Sequence, residues 1–203
     1  MLMNAFIQSV VGLFAITNPL TKGPIFADIV KHLTPAKKRA AAVTASVAVM
    51  AILVGSALAG KLVLDLFGIS IPAFQVAGGL LIVTMALQMM NSGGQSNVQS
   101  EPSESEIQDS LIVPFAMPLT AGPGSIATII TMAVSEGKEI PTVTIAAAIA
   151  VSVLLWLILT VTVSAKKQLN PRAQRIQTRF MGLILLAIGF QLGMHGLKDF
   201  FAA

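Results

Sequence analysis

Apolar residues in this chain run in blocks of about 20, the length an α-helix needs to cross the hydrocarbon core of a bilayer. Six blocks are legible, at about 4–30, 40–60, 71–90, 110–134, 141–164 and 180–198. The pattern predicts an all-α integral membrane protein of six transmembrane spans. The first and fourth blocks are interrupted, at 18–23 and 117–124, by Pro- and Gly-containing motifs. Between the third and fourth lies GGQSNVQSEPSESEIQD, residues 93–109, a polar and acidic stretch that reads as a linker.

The two interruptions are related. Pro19-Leu20-Thr21-Lys22-Gly23-Pro24 and Pro118-Leu119-Thr120-Ala121-Gly122-Pro123 share five of six residues at an offset of 99. Gly79-Leu80 through Gln88 aligns more weakly with Gly182-Leu183 through Gln191 at an offset of 103. Residues 1–92 and 110–203 therefore read as two copies of one three-span unit, joined by 93–109 into a single membrane domain. Three is odd, so the second copy enters the membrane upside down. That is a 3+3 inverted-topology repeat, an architecture of secondary transporters that move substrate by alternating access.

Proline lacks an N–H and clashes with the carbonyl four residues back, so each motif breaks its helix. In hydrocarbon such a break is tolerated where it is buried in protein or lines a wet cavity. The first span has about 14 residues before its break, roughly 21 Å of helix, so the break falls inside the membrane and past its midplane. The fourth span has fewer, so the two breaks are expected at unequal depth. Pro24 and Pro123 suit the first helical position, with Gly23 and Gly122 ahead of them, and this predicts two new helix N-termini. Their free N–H groups and positive dipole ends favour a carboxylate, and the carbonyl ends of the preceding half-helices favour an ammonium. Asn18, Thr21, Thr120 and Ser125 add neutral hydrogen-bonding groups. The expected substrate site comprises Asn18, Pro19, Thr21, Gly23, Pro24, Thr120, Gly122, Pro123, Gly124 and Ser125. A plain structural kink is the competing reading of one such break. Two matched breaks favour a site.

Lys22, Gln88 and Gln191 are secondary candidates. A lysine near a helix centre costs about 2.5–3.5 kcal/mol on insertion scales. Lys22 either meets a substrate carboxylate or snorkels along a cavity, and its repeat partner is Ala121. Gln88 and Gln191 either contact substrate or bond between helices, the second being favoured. Gly189-Phe190-Gln191-Leu192-Gly193 and Gly78-Gly79 read as close-packing patches.

Composition sharpens the picture. The 203 residues are 55% hydrophobic and 11% charged, with a mean hydropathy of +0.82 and a pI near 9.7. So little charge does not coat a soluble domain. The basic residues lie in short clusters between apolar blocks, which fits membrane orientation and not nucleic acid. Nine Lys and Arg follow spans 1 and 5, against Lys61, Lys138 and Lys198 on the other side. Loops after spans 1, 3 and 5 are thus expected in the cytoplasm and both termini outside. The N-terminus lacks a basic leader and reads as the first span. There is no cysteine, no HExxH, no GxSxG, no P-loop and no GxGxxG, so neither an enzyme nor a metal site is expected. No cofactor is expected beyond a coupling Na⁺ or H⁺.

Several motifs together resemble the MarC family of bacterial and archaeal inner-membrane proteins. They are Ala15-Ile-Thr-Asn-Pro-Leu-Thr21, Phe67-Gly-Ile-Ser-Ile-Pro72, Ala77-Gly-Gly79, Ala116-Met-Pro-Leu-Thr-Ala-Gly-Pro-Gly124 and Arg179-Phe-Met-Gly182. The resemblance covers nearly the whole chain. Where many members of the family carry D-P-x-G-N-x-P, this chain has Asn18 in the acidic position and Thr21-Lys22 in the G-N positions. The resemblance implies a six-span protein of the LysE-like transporter grouping in a prokaryotic inner membrane. It also implies transport of small neutral amino acids, as in archaeal relatives of the SnatA type.

The leading expectation is a transporter or exporter of a small neutral amino acid or similar zwitterion. Its partners would be that substrate, membrane lipid and a second copy of the chain. The alternatives are export of larger amphipathic compounds, or a non-transporting scaffold or sensor that uses residues 93–109 to bind a partner.

Overall fold

The structure is a computed structural model that describes residues 2–91, 120–137, 140–164 and 171–202. Among the described residues all regular structure is helical: α1 (Leu2–Thr17), α2 (Pro19–Ile29), α3 (Pro35–Leu66), α4 (Ile71–Asn91), α5 (Pro123–Ser135), α6 (Thr142–Ser164) and α7 (Pro171–Ala202). Helices α3, α4, α6 and α7 are each long and apolar enough to cross a membrane, and α1 with α2 forms a fifth such unit bent by 42°. The fourth expected span is represented by α5, a 13-residue apolar helix. The linker 93–109, the start of that span at 110–119 with Pro118 and Leu119, and Lys138, Lys166 and Lys167 lie outside the described residues.

The packing is that of a membrane protein. α3 buries Ala41, Ala42, Ala45, Ser46, Ala57 and Gly60 and exposes Val43, Val47, Leu58 and Leu62. α6 likewise buries Ala147, Ala148 and Ser152 and exposes Ile149, Val153, Leu157 and Val161. Lipid tails are as apolar as leucine, so a helix gains little by hiding leucine from them. It gains contact by turning its small residues toward a neighbour.

That logic is clearest between α4 and α7, the most extensively paired helices. Gly182 lies against Ala86 and Met90, Gly189 against Gly79 and Val83, and Gly196 against Pro72 and Val76. The pairing is antiparallel, and the three glycines of α7 recur every two turns on one stripe. A Cβ added to Gly79 would stand 2.6 Å from both the carbonyl oxygen of Gly189 and the amide nitrogen of Gly193. The glycine patches foreseen as packing sites are therefore packing sites.

Short connections fix which ends share a face. α3 starts on Pro35, with the Thr34 hydroxyl accepting the Lys37 N–H at 3.4 Å. It ends before Gly68, whose φ of +65° suits glycine, and Ser70 accepts the Ala73 N–H at 3.4 Å as α4 begins. α3 therefore begins at the face where α4 ends and α7 begins. Lys37, Lys38 and Arg39 lie at that basic face with Arg172, Arg175 and Arg179, and Lys61 and Lys198 lie toward the other. The arginines were expected in a loop. They sit on α7, which like α3 has 32 residues, about 48 Å of helix against a hydrocarbon core of about 30 Å.

The other principal pairs are α3 with α5 and α6, α1 with α5, α6 and α7, α2 with α6 and α7, α4 with α5, and α5 with α6. Exchanging α2 with α5, α3 with α6 and α4 with α7, as the repeated motif aligns them, carries the α2–α6 pair onto α3–α5 and the α2–α7 pair onto α4–α5.

Candidate functional site

The first break is built on one residue. Asn18 has φ 45° and ψ 58°, and it is the non-glycine residue with positive φ among those described. Its N–H donates to the Phe14 carbonyl at 2.9 Å, which closes α1. The Thr17 hydroxyl donates to the Leu13 carbonyl at 2.7 Å. Pro19 then opens α2 at the first helical position, where its missing N–H costs nothing. A residue before proline is pushed away from the right-handed helix, and asparagine tolerates the left-handed region best after glycine.

This corrects one expectation. The new N-terminus is at Asn18–Pro19 and not at Gly23–Pro24. Pro24 lies inside α2, and Gly23 is a packing glycine whose added Cβ would stand 2.8 Å from Thr162 Oγ1. Both prolines suit a helix start, but the chain can start a helix only once here, and Asn18 decides where. The free first-turn N–H groups therefore belong to Leu20 and Thr21. The Asn18 side chain does not cap them.

The second break is as expected. Gly122 precedes Pro123, which opens α5 with φ −69° and ψ 177° at the glycine. The Ile126 N–H closes the first turn on the Gly122 carbonyl at 3.0 Å, leaving the N–H groups of Gly124 and Ser125 free of intrahelical partners. The Ser125 hydroxyl donates to the Thr120 carbonyl at 3.2 Å, and the Thr128 hydroxyl to the Gly124 carbonyl at 2.9 Å.

Helix α4 brings the two breaks together. The Asn18 side-chain amide donates to Met89 Sδ at 3.9 Å. An added Cβ on Gly124 would stand 2.9 Å from Ile82 and 3.6 Å from Met85 Sδ. Met85 and Met89 are one turn apart, about 6 Å along the axis. The breaks are thus neighbours at unequal depth, with Asn18 nearer the basic face. Ala121, between Thr120 and Gly122, belongs to the same buried cluster as Leu13 and Phe26, which flank the first break.

Two buried oxygens at these breaks, Asn18 Oδ1 and Thr120 Oγ1, have no hydrogen-bond partner among the described residues. Thr120 is fully buried and Asn18 is 1% exposed. A buried polar atom left unpaired costs about 1–3 kcal/mol, so each of these calls for water or ligand.

The other candidates fall differently. The Thr21 hydroxyl donates to the Asn18 carbonyl at 3.2 Å. Lys22 is one turn beyond Asn18 toward the basic face and 8% exposed, with no ion pair to a described residue. Gln88 and Gln191 are both exposed and do not join the breaks. Three buried polar side chains escaped the sequence reading: Ser46 on α3, Gln75 on α4 and Thr131 on α5, each with an oxygen that has no partner among the described residues. Gln75 was as visible as Gln88, being one glutamine in an apolar span. No group of three or more His, Cys, Asp or Glu side chains able to hold a metal occurs among the described residues.

Comparison with known proteins bears on this arrangement. The chain matches the MarC family integral membrane protein family over residues 3–201. It is 35% identical to a UPF0056 membrane protein of Pyrococcus abyssi, covering 98% of this chain and 97% of that one. It is 33% identical to the UPF0056 membrane protein YhcE of Escherichia coli, over 94% and 91% of the two chains. It is also 33% identical to the UPF0056 inner membrane protein MarC of Citrobacter koseri, over 98% and 96%. No solved structure matches the chain. The glycine-interlocked helices and the proline breaks described here are thus features of an integral membrane protein, and the chain belongs to the MarC family.

Proposed function

We propose that the protein is a secondary transporter or exporter of a small zwitterion, such as a neutral amino acid, working by alternating access. The observation that carries this reading is the pair of helix N-termini on adjacent turns of α4, each beside a buried oxygen, of Asn18 or Thr120, without a partner among the described residues. The N–H groups of Leu20, Thr21, Gly124 and Ser125 would receive the substrate carboxylate. The α1 carbonyl end and the free oxygens of Asn18 and Thr120 would receive its ammonium. Pro19, Gly122 and Pro123 shape the two turns, and Gly23 and Pro24 act through the packing of α2.

On this reading residues 1–92 and 110–203 are inverted repeats that rock against each other. The pairing of α2 with α6 and α7, matched by that of α5 with α3 and α4, favours it. The basic face would be cytoplasmic and both termini outside, in an inner membrane. Lys22 would act through its closeness to the basic face, where a lysine snorkels at little cost, and not as an obligatory ligand. Coupling to Na⁺ or H⁺ and assembly with a second copy belong to the same reading.

Counterflow in proteoliposomes tests it. Vesicles loaded with unlabelled glycine, alanine or serine should accumulate the labelled amino acid transiently. No accumulation with any neutral amino acid would remove the substrate class.

A further inference from the structure

Away from the breaks the structure holds a second polar feature. A cleft of about 460 Å³ lies between the first half of α1, the end of α5 and the start of α6. It opens toward the face opposite the basic one. Gln8, Ser9, Thr131, Ser135, Glu136 and Thr144 supply its polar lining.

Glu136 is fixed at the mouth. One carboxylate oxygen accepts from the Val143 N–H at 3.1 Å and the Thr142 hydroxyl at 3.3 Å. The other accepts from the Thr144 N–H at 3.1 Å and hydroxyl at 3.2 Å. The carboxylate is thereby held by the N-terminus of α6, where a negative charge is favoured. Deeper in, Thr131 is 9% exposed and its hydroxyl has no hydrogen-bond partner among the described residues.

Thr131 also stands in a row. Ser125, Thr128, Thr131 and Ser135 recur every three or four residues along α5, a single stripe from the break to the cleft. Ser125 donates to the Thr120 carbonyl, Thr128 to the Gly124 carbonyl and Ser135 to the Thr131 carbonyl. With their protons committed to the backbone, these hydroxyls can only accept. A stripe in which three of four hydroxyls can only accept, with a carboxylate at its outer end, suits an ammonium group better than a carboxylate.

We infer that this cleft is the mouth of the translocation path on the N-terminal face. It admits the ammonium end of a zwitterion first and passes it along the α5 hydroxyls, beyond the helix start at Gly122–Pro123, toward the oxygens of Thr120 and Asn18. The inference rests on the transport reading above.

The chain has no cysteine, so an introduced one is a unique reporter. Thr131→Cys, Ser135→Cys and the lipid-facing Leu80→Cys would be prepared in nanodiscs. Each would be treated with membrane-impermeant methanethiosulfonates, one carrying a trimethylammonium and one a sulfonate. Both cleft positions should label and Leu80→Cys should not. The cationic reagent should react about tenfold faster than the anionic one at Thr131→Cys, as expected for a charged, focusing cleft. Thr131→Cys as inert as Leu80→Cys, or an anionic reagent as fast as the cationic one, would overturn the inference. If Thr131→Cys does not fold, Ser9→Cys carries the same comparison from the facing helix. The two readings fail separately. Labelling without alanine counterflow leaves the mouth and removes that substrate, whereas counterflow without labelling removes the mouth and leaves the transporter.

Discussion

Asn18 and Thr120 are the residues on which the candidate site turns, and each makes a distinct prediction. Valine matches threonine in shape and lacks the hydroxyl, so Thr120→Val removes a buried atom with no partner among the described residues. If the hydroxyl serves only the fold, the change should be neutral or stabilising by about 1–3 kcal/mol. We expect a thermal midpoint in detergent at least as high as that of the parent, with counterflow reduced tenfold or more. Unchanged counterflow would exclude Thr120 as a ligand. Asn18→Gly keeps the left-handed turn and removes the amide, so it should fold and transport poorly. Asn18→Val should lower the melting temperature as well, because a β-branched residue in that region costs about 1–2 kcal/mol. Equal stability of the two variants would count against the turn. The position of this break was within reach of the sequence: asparagine before proline is disfavoured in a right-handed helix and tolerant of the left-handed one. Pro24 drew attention away because it follows a glycine, as Pro123 does, and a Gly-Pro pair suits a helix start.

Among the elements, α4 and α7 form the frame against which the breaks are set. Their approach is closest at Gly79, where an added Cβ meets backbone atoms of Gly189 and Gly193 that cannot turn aside. Gly79→Val should destabilise by about 1–3 kcal/mol or more, as overpacking does, and lower the thermal midpoint in detergent. Gly193→Ala is the control, since its Cβ would meet nothing within 4 Å. If both variants melt alike, the seam is looser than described. The sequence identified the glycines as packing residues without indicating which of the GxxxG pair makes the tight approach. That depends on the rotation of α7 about its own axis, which only the partner helix sets. Gln88 and Gln191 show the same limit: spacing alone did not reveal that both point out of the seam.

At the scale of the whole molecule, the distribution of charge makes the prediction. Lys37, Lys38 and Arg39 share a face with Arg172, Arg175 and Arg179, and positive clusters face the cytoplasm. A C-terminal alkaline phosphatase fusion should therefore be active in cells, and a C-terminal green fluorescent protein should be dark. The reverse pattern would invert the proposed topology and put the Glu136 cleft inside.

Hydropathy along the chain already marked an integral membrane protein, most of its crossings and the motif that breaks the first of them. Hydropathy and proline chemistry act locally, so they can be read along one strand of text. The sequence also carried family membership, because the matching motifs run through nearly the whole chain. Packing alone revealed which buried polar atoms lack partners among the described residues and which helix starts are neighbours. Asn18 and Gly124 meet adjacent turns of α4 through Met89 and Met85, and the Thr131 hydroxyl has no partner among the described residues in a cleft made by three helices. Such facts depend on helix rotation and depth, and these are set by small residues on neighbours far away in sequence.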